Sequence, residues 1–241
     1  LKMESLAKRL AMDPDLTTAI QKQLLTYIDL LLKKNEFVNL TRITDPQGLY
    51  EAQIRDSMQL LPYLPKDPAK LLDLGTGAGF PGLVLKILRP DLDVTLLDSV
   101  RKKLDFLDEV IEALSLKQVR TLHARAEDVG RAKKTREQFD VVTARAVANM
   151  PVLLEYSLPL VKVGGSFLAL KTLDEPLDAA TKAMDILGGK LVSSKPYANP
   201  SFNDPQKTTG DQLVLHHIRK IKPSPKKYPR RAGSVRKDPI L

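Results

Sequence analysis

The segment Leu71-Leu72-Asp73-Leu74-Gly75-Thr76-Gly77-Ala78-Gly79-Phe80-Pro81-Gly82 constrains this chain more than any other. A short apolar run ends in three glycines at two-residue spacing, where a first strand gives way to a first helix. Missing Cβ atoms let the backbone turn tightly and let a ligand approach closely. The segment therefore predicts a strand–turn–helix unit that opens a parallel sheet and holds a ligand. The competing reading is a glycine-rich turn with no ligand.

Downstream, the same texture repeats. Val94–Leu97, Val119–Leu122, the run Phe139-Asp140-Val141-Val142-Thr143-Ala144, and Phe167–Leu170 are short apolar runs, each with a plausible helix after it. The charged amphipathic stretch Arg101–Leu114 is the clearest of these helices. Lys190–Ser193 and Leu213–Ile218 read as two last strands with little helical pattern between them. The expected architecture is α/β, a Rossmann-like, seven-stranded, mostly parallel sheet with an antiparallel edge. Upstream, the first seventy residues read as helical. Asp13-Pro14 and Asp45-Pro46 each predict a helix cap followed by a first-turn proline, and the stretch from Asn35 to Thr41 reads as a loop. The expected parts are a helical cap over 1–69, a ligand-binding domain over 70–221, and a basic, proline-containing tail over 222–241. The tail is expected to be extended and weakly ordered on its own. Leu1 is an unusual first residue, so the start is expected to lie upstream.

Charge sharpens that division. The formal net charge is +9, and the stretch from His216 to Leu241 holds nine basic residues against one acid. The remaining 215 residues are close to neutral, which points to a local polyanion-binding segment rather than bulk charge. The other reading of the tail is a solvated solubility segment. The absence of cysteine excludes disulfides, thiolate metal sites and cysteine nucleophiles. Three histidines argue against a histidine-based catalytic metal site. No apolar run approaches the ~20 residues of a membrane span, and no signal-peptide pattern opens the chain. The expectation is a cytoplasmic monomer with no membrane and no metal partner.

Several residues fall where chemistry is expected. Asp98 ends the second strand, 21 positions after Gly77. An acid there accepts hydrogen bonds from both ribose hydroxyls of a nucleoside, or caps the helix that starts near Val100. Gly77, Gly79 and Gly82 formally satisfy a dinucleotide fingerprint, which keeps a nicotinamide-dependent oxidoreductase as an alternative. Asp73 argues against it, because an acid beside the loop repels a pyrophosphate and suits a cation. Arg145 arrives at the carboxyl end of the fourth strand among alanines, either for a ligand or in a structural salt bridge. Lys171 ends the fifth strand, facing the same cleft or simply solvated.

The run Asp-Leu-Gly-Thr-Gly-Ala-Gly resembles the first motif of Rossmann-like, class I S-adenosylmethionine methyltransferases. In that class the turn after the third strand, here Ala126-Glu127, reads the adenine edge with a backbone N–H and an acid. Glu127 is otherwise a helix-start neighbour or a solvated charge. No Asn/Asp-Pro-Pro-aromatic motif follows the fourth strand, as base amino-group methylation generally requires. Ring-carbon methylation of pyrimidines generally needs a cysteine. An already nucleophilic acceptor remains, such as a purine ring nitrogen or an oxygen.

Further motifs narrow the resemblance. They are Asn39-Leu40-Thr41, Asp56-Ser57, the glycine segment through Phe80-Pro81-Gly82, Leu96-Leu97-Asp98-Ser99, Ala126-Glu127, Ala144-Arg145-Ala146 and Ala169-Leu170-Lys171. Together they resemble the 16S rRNA guanine-N(7) methyltransferases, the glucose-inhibited division protein B family. The run from Lys226 to Gly233 is similar to the C-terminus of its Gram-positive members. The resemblance implies methyl transfer from S-adenosylmethionine to one guanine ring nitrogen, with 16S rRNA or the small ribosomal subunit as partner. On the combined reading, Asp73, Gly75, Gly77, Gly79, Phe80, Asp98, Ala126, Glu127 and Arg145 are the expected cofactor residues. Arg145 and Lys171 are the expected catalytic pair. Asn39, Arg55, Lys226, Lys227, Arg230 and Arg231 are expected to contact RNA, with Tyr228 offering a stacking surface. The chain departs from the family at Ala52-Gln53, where a basic residue and histidine are usual, at Lys34, where an aromatic is usual, and at Thr172 in place of glycine. Other acceptors, whether another RNA or a small molecule, and a non-catalytic RNA-binding role stay open at this level.

Overall fold

The computed structural model describes residues 2–173, 177–197 and 213–241. Leu1 and the stretch 198–212, expected to carry little helical pattern, lie outside the described residues. Seven strands form one sheet: β1 (Lys70–Leu74), β2 (Asp93–Asp98), β3 (Val119–His123), β4 (Phe139–Arg145), β5 (Val161–Thr172), β6 (Gly189–Tyr197) and β7 (Leu213–Lys220). Their order is β3-β2-β1-β4-β5-β7-β6. β1 to β5 pair in parallel, and β7 runs antiparallel between β5 and β6. The strand order reverses at β1, whose neighbours are β2 and β4. That reversal opens a crevice at the carboxyl ends of the strands.

Alternation along the strands builds two cores. Leu71, Leu96, Val141 and Leu168 point into one, and Leu72, Leu97, Val142 and Phe167 into the other. The first core takes in α1 (Lys2–Ala11), α2 (Thr18–Asn35), α3 (Pro46–Leu49), α5 (Gly82–Leu88) and α6 (Arg101–Ala113). In α6, Leu104, Leu107 and Val110 recur at helical spacing and are buried. α4 (Arg55–Met58) follows a π-helical turn at Tyr50–Ile54. The second core takes in α7 (Ala126–Arg131), α8 (Met150–Ser157), α9 (Thr181–Leu187) and α10 (Ser234–Lys237). Among the described residues no helix is long and apolar enough to cross a membrane.

Two expectations about the ends of the chain need correction. Asp45 does cap α3, accepting from the Gly48 N–H at 2.8 Å. Asp13 does not cap α2. That helix starts at Thr18, with the Thr17 hydroxyl accepting from the Ile20 N–H at 3.3 Å. Asp13 is engaged elsewhere, accepting from the Asp15 N–H at 3.1 Å and the Tyr50 hydroxyl at 3.0 Å.

The C-terminal segment is not an extended tail. Tyr228, Val235 and Ile240 are buried in the second core. The Arg136 guanidinium donates to the Ser224 and Tyr228 carbonyls at 2.8 and 2.6 Å. Lys220, fully buried, donates to the Leu158 carbonyl and the Ser224 hydroxyl, both at 2.5 Å. Arg230 grips the fully buried carboxylate of Glu155 with its Nε, its Nη2 and its backbone N–H. A buried carboxylate needs such donors, and the segment supplies them.

Candidate active site

The glycine loop leaves β1 with Gly75, Gly77 and Gly79 all at positive φ. Gly79 is the most demanding. Its φ is +106°, and a Cβ placed there would lie 2.6 Å from the Tyr27 hydroxyl and 2.9 Å from a Leu107 methyl. Tyr27, on α2, donates to the Ala78 carbonyl and packs its ring 5.4 Å from that of Phe80. The helical cap therefore clamps the loop from one side. Asp98 holds it from another, accepting from the Gly77 N–H at 3.0 Å and the Val100 N–H at 2.9 Å.

Two cavities open at the carboxyl ends of the strands. The first, of about 350 Å³, is lined by Leu74, Gly75, Leu97, Asp98, Ser99, Ala124, Arg125, Ala126, Glu127, Val147, Tyr156, Gly233 and Arg236. Its walls are apolar except for a few polar groups, the usual make-up of a small-molecule site. Asp98 and Glu127 are both almost completely buried in it. Burial pushes the Tyr156 phenol up, and Arg236 and Glu127 beside it act in opposite directions. The second cavity, of about 220 Å³, is lined by Asp56, Arg145, Ala146, Leu170, Lys171, Thr172, Tyr197 and Leu213. Arg145 Nη1 donates to Gln53 Oε1 at 2.5 Å and lies 3.2 Å from Asp56 Oδ2. The Tyr197 hydroxyl donates to the other Asp56 oxygen. Burial and the Asp56 charge push the Tyr197 phenol well up, so it remains a donor. Lys171 Nζ donates to the Ala148 carbonyl at 2.7 Å.

The segment after β4 joins the two cavities. Arg145 and Ala146 line the second, and Val147 lines the first. Ala146 sits at φ +50°, a region that costs a residue with a Cβ energy. This bend turns consecutive side chains into different cavities.

Of the expected cofactor residues, the structure gathers Gly75, Asp98, Ala126 and Glu127 around the first cavity. The five other expected cofactor residues do not line it. Asp73 is fully buried under the loop, accepting from the Gly82 N–H at 2.9 Å and the Thr143 hydroxyl at 2.8 Å. Burial raises its pKa, opposed by those hydrogen bonds. Asp73 thus ties the two ends of the loop together and does not line the cavity. Phe80 packs on Tyr27, Gly79 makes room for Tyr27, and Arg145 faces the second cavity. Gly77 acts through its N–H on Asp98.

The expected RNA residues divide in the same way. Asn39, Lys226, Lys227 and Arg231 are exposed. Arg55 is partly exposed and pairs with Glu51 at 3.1 Å. Arg230 is engaged by Glu155 at 2.7 Å, and Tyr228 is too buried to stack on a base. Sequence reasoning did not single out Val147, Tyr156, Tyr197 or Arg236, met Gln53 only as a departure from the family pattern, and met Gly233 only as the end of the C-terminal run. Asp56 was visible only as part of a motif.

The first cavity fits S-adenosylmethionine. Buried Asp98 and Glu127 suit ribose hydroxyls and a cationic ligand. The sheet order and this cavity together define a class I S-adenosylmethionine-dependent methyltransferase. Structural neighbours agree on the fold. TYW2 from M. jannaschii, solved in complex with AdoMet, superposes with a TM-score of 0.57 at 16% identity, over 75% of this chain and 80% of that one. TrmN from Thermus thermophilus superposes with a TM-score of 0.52 at 22% identity, over 68% of this chain and 48% of that one. The rRNA small subunit methyltransferase G (GidB) family pattern matches residues 20–201. Ribosomal RNA small subunit methyltransferase G of Lactobacillus acidophilus is 47% identical over 94% of this chain and 93% of its own length. The Streptococcus pyogenes protein of the same name is 42% identical over 93% of each. The chain belongs to the rRNA small subunit methyltransferase G family.

Proposed function

We propose that this protein methylates the N7 ring nitrogen of one guanine in 16S rRNA, with the cofactor in the first cavity and the target base in the second. The observation that carries this reading is the adjacency, at the strand ends, of a cavity holding buried Asp98 and Glu127 and a cavity holding Arg145 and Lys171, joined at Ala146. Bound S-adenosylmethionine supplies an electrophilic methyl group on a sulfonium sulfur. Asp98 accepts from the ribose hydroxyls, and Glu127 with the Ala126 N–H reads the adenine edge. Gly75 and Val147 shape the wall nearest the second cavity.

Guanine N7 carries a free lone pair, so no general base is required. Rate enhancement then comes from placement of the acceptor against the methyl group. Arg145 and Lys171 hold the guanine or its phosphate. Asp56, Gln53 and Tyr197 position Arg145. Asn39 and Arg55 on the helical cap, with exposed Lys226, Lys227 and Arg231, form the RNA-facing surface. A nicotinamide-dependent reaction is disfavoured by the chain's membership of a methyltransferase family.

The test is incubation with radiolabelled S-adenosylmethionine and small-subunit rRNA from cells that lack the activity. Nuclease digestion and nucleoside chromatography should place the label in 7-methylguanosine. Label in another nucleoside would refute the acceptor, and label in none would refute rRNA methylation.

A further inference from the structure

We propose that the C-terminal segment is a wall of the cofactor cavity and that Arg236 contacts the adenosine half of the cofactor. The inference rests on the first cavity being the cofactor site. Gly233 and Arg236 line that cavity with Asp98, Glu127, Val147 and Tyr156. Arg236 Nη2 donates to the Val147 carbonyl at 3.3 Å, and its guanidinium also faces the Tyr156 hydroxyl. Tyr156 in turn faces Glu127, the residue assigned to adenine. The guanidinium therefore belongs to the adenine end, where its flat, delocalised cation can stack on a π face.

Packing fixes this wall in place. Val235, next to Arg236, is completely buried, and Ile240 is nearly so. Arg230 is locked to Glu155, the residue before Tyr156 on α8. The wall and Tyr156 are thus held by one helix, α8. The basic tail then serves the cofactor with one set of residues and leaves Lys226, Lys227 and Arg231 exposed.

The experiment is calorimetric titration of the full chain with S-adenosylhomocysteine and with methylthioadenosine, which lacks the amino acid half. Arg236 is exposed, so Arg236→Ala should fold, and its melting temperature checks this. A cation–π or stacking contact of about 1–2 kcal/mol corresponds to a roughly 5–30-fold loss of affinity. Arg236→Ala should weaken both ligands by that factor, and Arg236→Lys should recover only part of it. Unchanged affinity for both ligands, or a loss confined to S-adenosylhomocysteine, would overturn the proposal. Asp98→Asn separates the two readings. Loss of binding there beside normal binding in Arg236→Ala overturns the Arg236 assignment alone, and normal binding in both variants overturns the assignment of the cavity as well.

Discussion

Buried charges on the C-terminal side show how single residues set this structure's properties. Glu155 is fully buried, and Arg230 is its ion-pair partner. Removing one member of such a pair leaves a charge without compensation. Arg230→Ala should lower stability by about 3 kcal/mol in urea unfolding. The double variant Glu155→Gln/Arg230→Met should recover most of the loss, because both charges leave together. Failure of the double variant to recover would mean that packing of the arginine stem matters more than charge.

Lys220 makes a prediction in pH. Burial lowers its pKa to about 8, partly offset by Glu137 3.2 Å away. An unfolded lysine titrates near ~10.4. Below pH 8 both states carry the proton, and the cost of burying the cation is fully present. Between pH 8 and about 10.4 the unfolded chain binds more protons, so folding gains stability as pH rises. Lys220→Met should abolish that gain. Parallel urea midpoints for wild type and variant at pH 7.5 and 9.5 would show instead that Lys220 stays charged throughout.

At the scale of elements, the glycine loop is the most tightly specified piece. Gly79→Ala would place a methyl against Tyr27 and Leu107 at positive φ, and should cost about 2–4 kcal/mol in urea unfolding. A variant of near-normal stability would mean that α2 can move away from the loop. Strand positions, the mostly parallel sheet and the loop were legible in the sequence, because buried strands read as short apolar runs and the glycines sit at a strand end. The places of Asp98 and Glu127 on the first cavity were legible for the same reason, since both follow strand ends, where open α/β sheets form their crevice. The role of Asp73 was not. Sequence places it beside the loop but cannot tell a side chain facing the ligand from one facing the core. Nor was the C-terminal segment legible. Its partners, Arg136 and Glu155, lie about ninety and seventy-five residues away in sequence, and no local periodicity announces them. The α2 cap illustrates a smaller ambiguity. Asp13 and Thr17 are both good caps, and the Asp13–Tyr50 hydrogen bond removes one from the choice.

Across the whole molecule, charge and site now divide differently from what composition implies. The surplus of nine charges is concentrated near the C-terminus, yet Lys220 and Arg230 there are engaged inside the fold and Arg236 lines the first cavity. Only the exposed members remain for phosphate. Replacing Lys226, Lys227 and Arg231 together with glutamine should flatten the salt dependence of rRNA binding, by roughly one unit of slope for each phosphate that is no longer neutralised. An unchanged slope would assign those residues to solubility.

On the proposed function, one bend at Ala146 separates a cofactor cavity from an acceptor cavity, with Arg145 on the acceptor side. The most direct measurement is the Arg145→Ala variant, assayed both for S-adenosylmethionine affinity by calorimetry and for methyl transfer to small-subunit rRNA. Affinity should stay within about twofold of wild type while transfer falls by about a hundredfold, the size expected when an acceptor is misplaced. Affinity and transfer falling together would put Arg145 in the cofactor site and contradict the division.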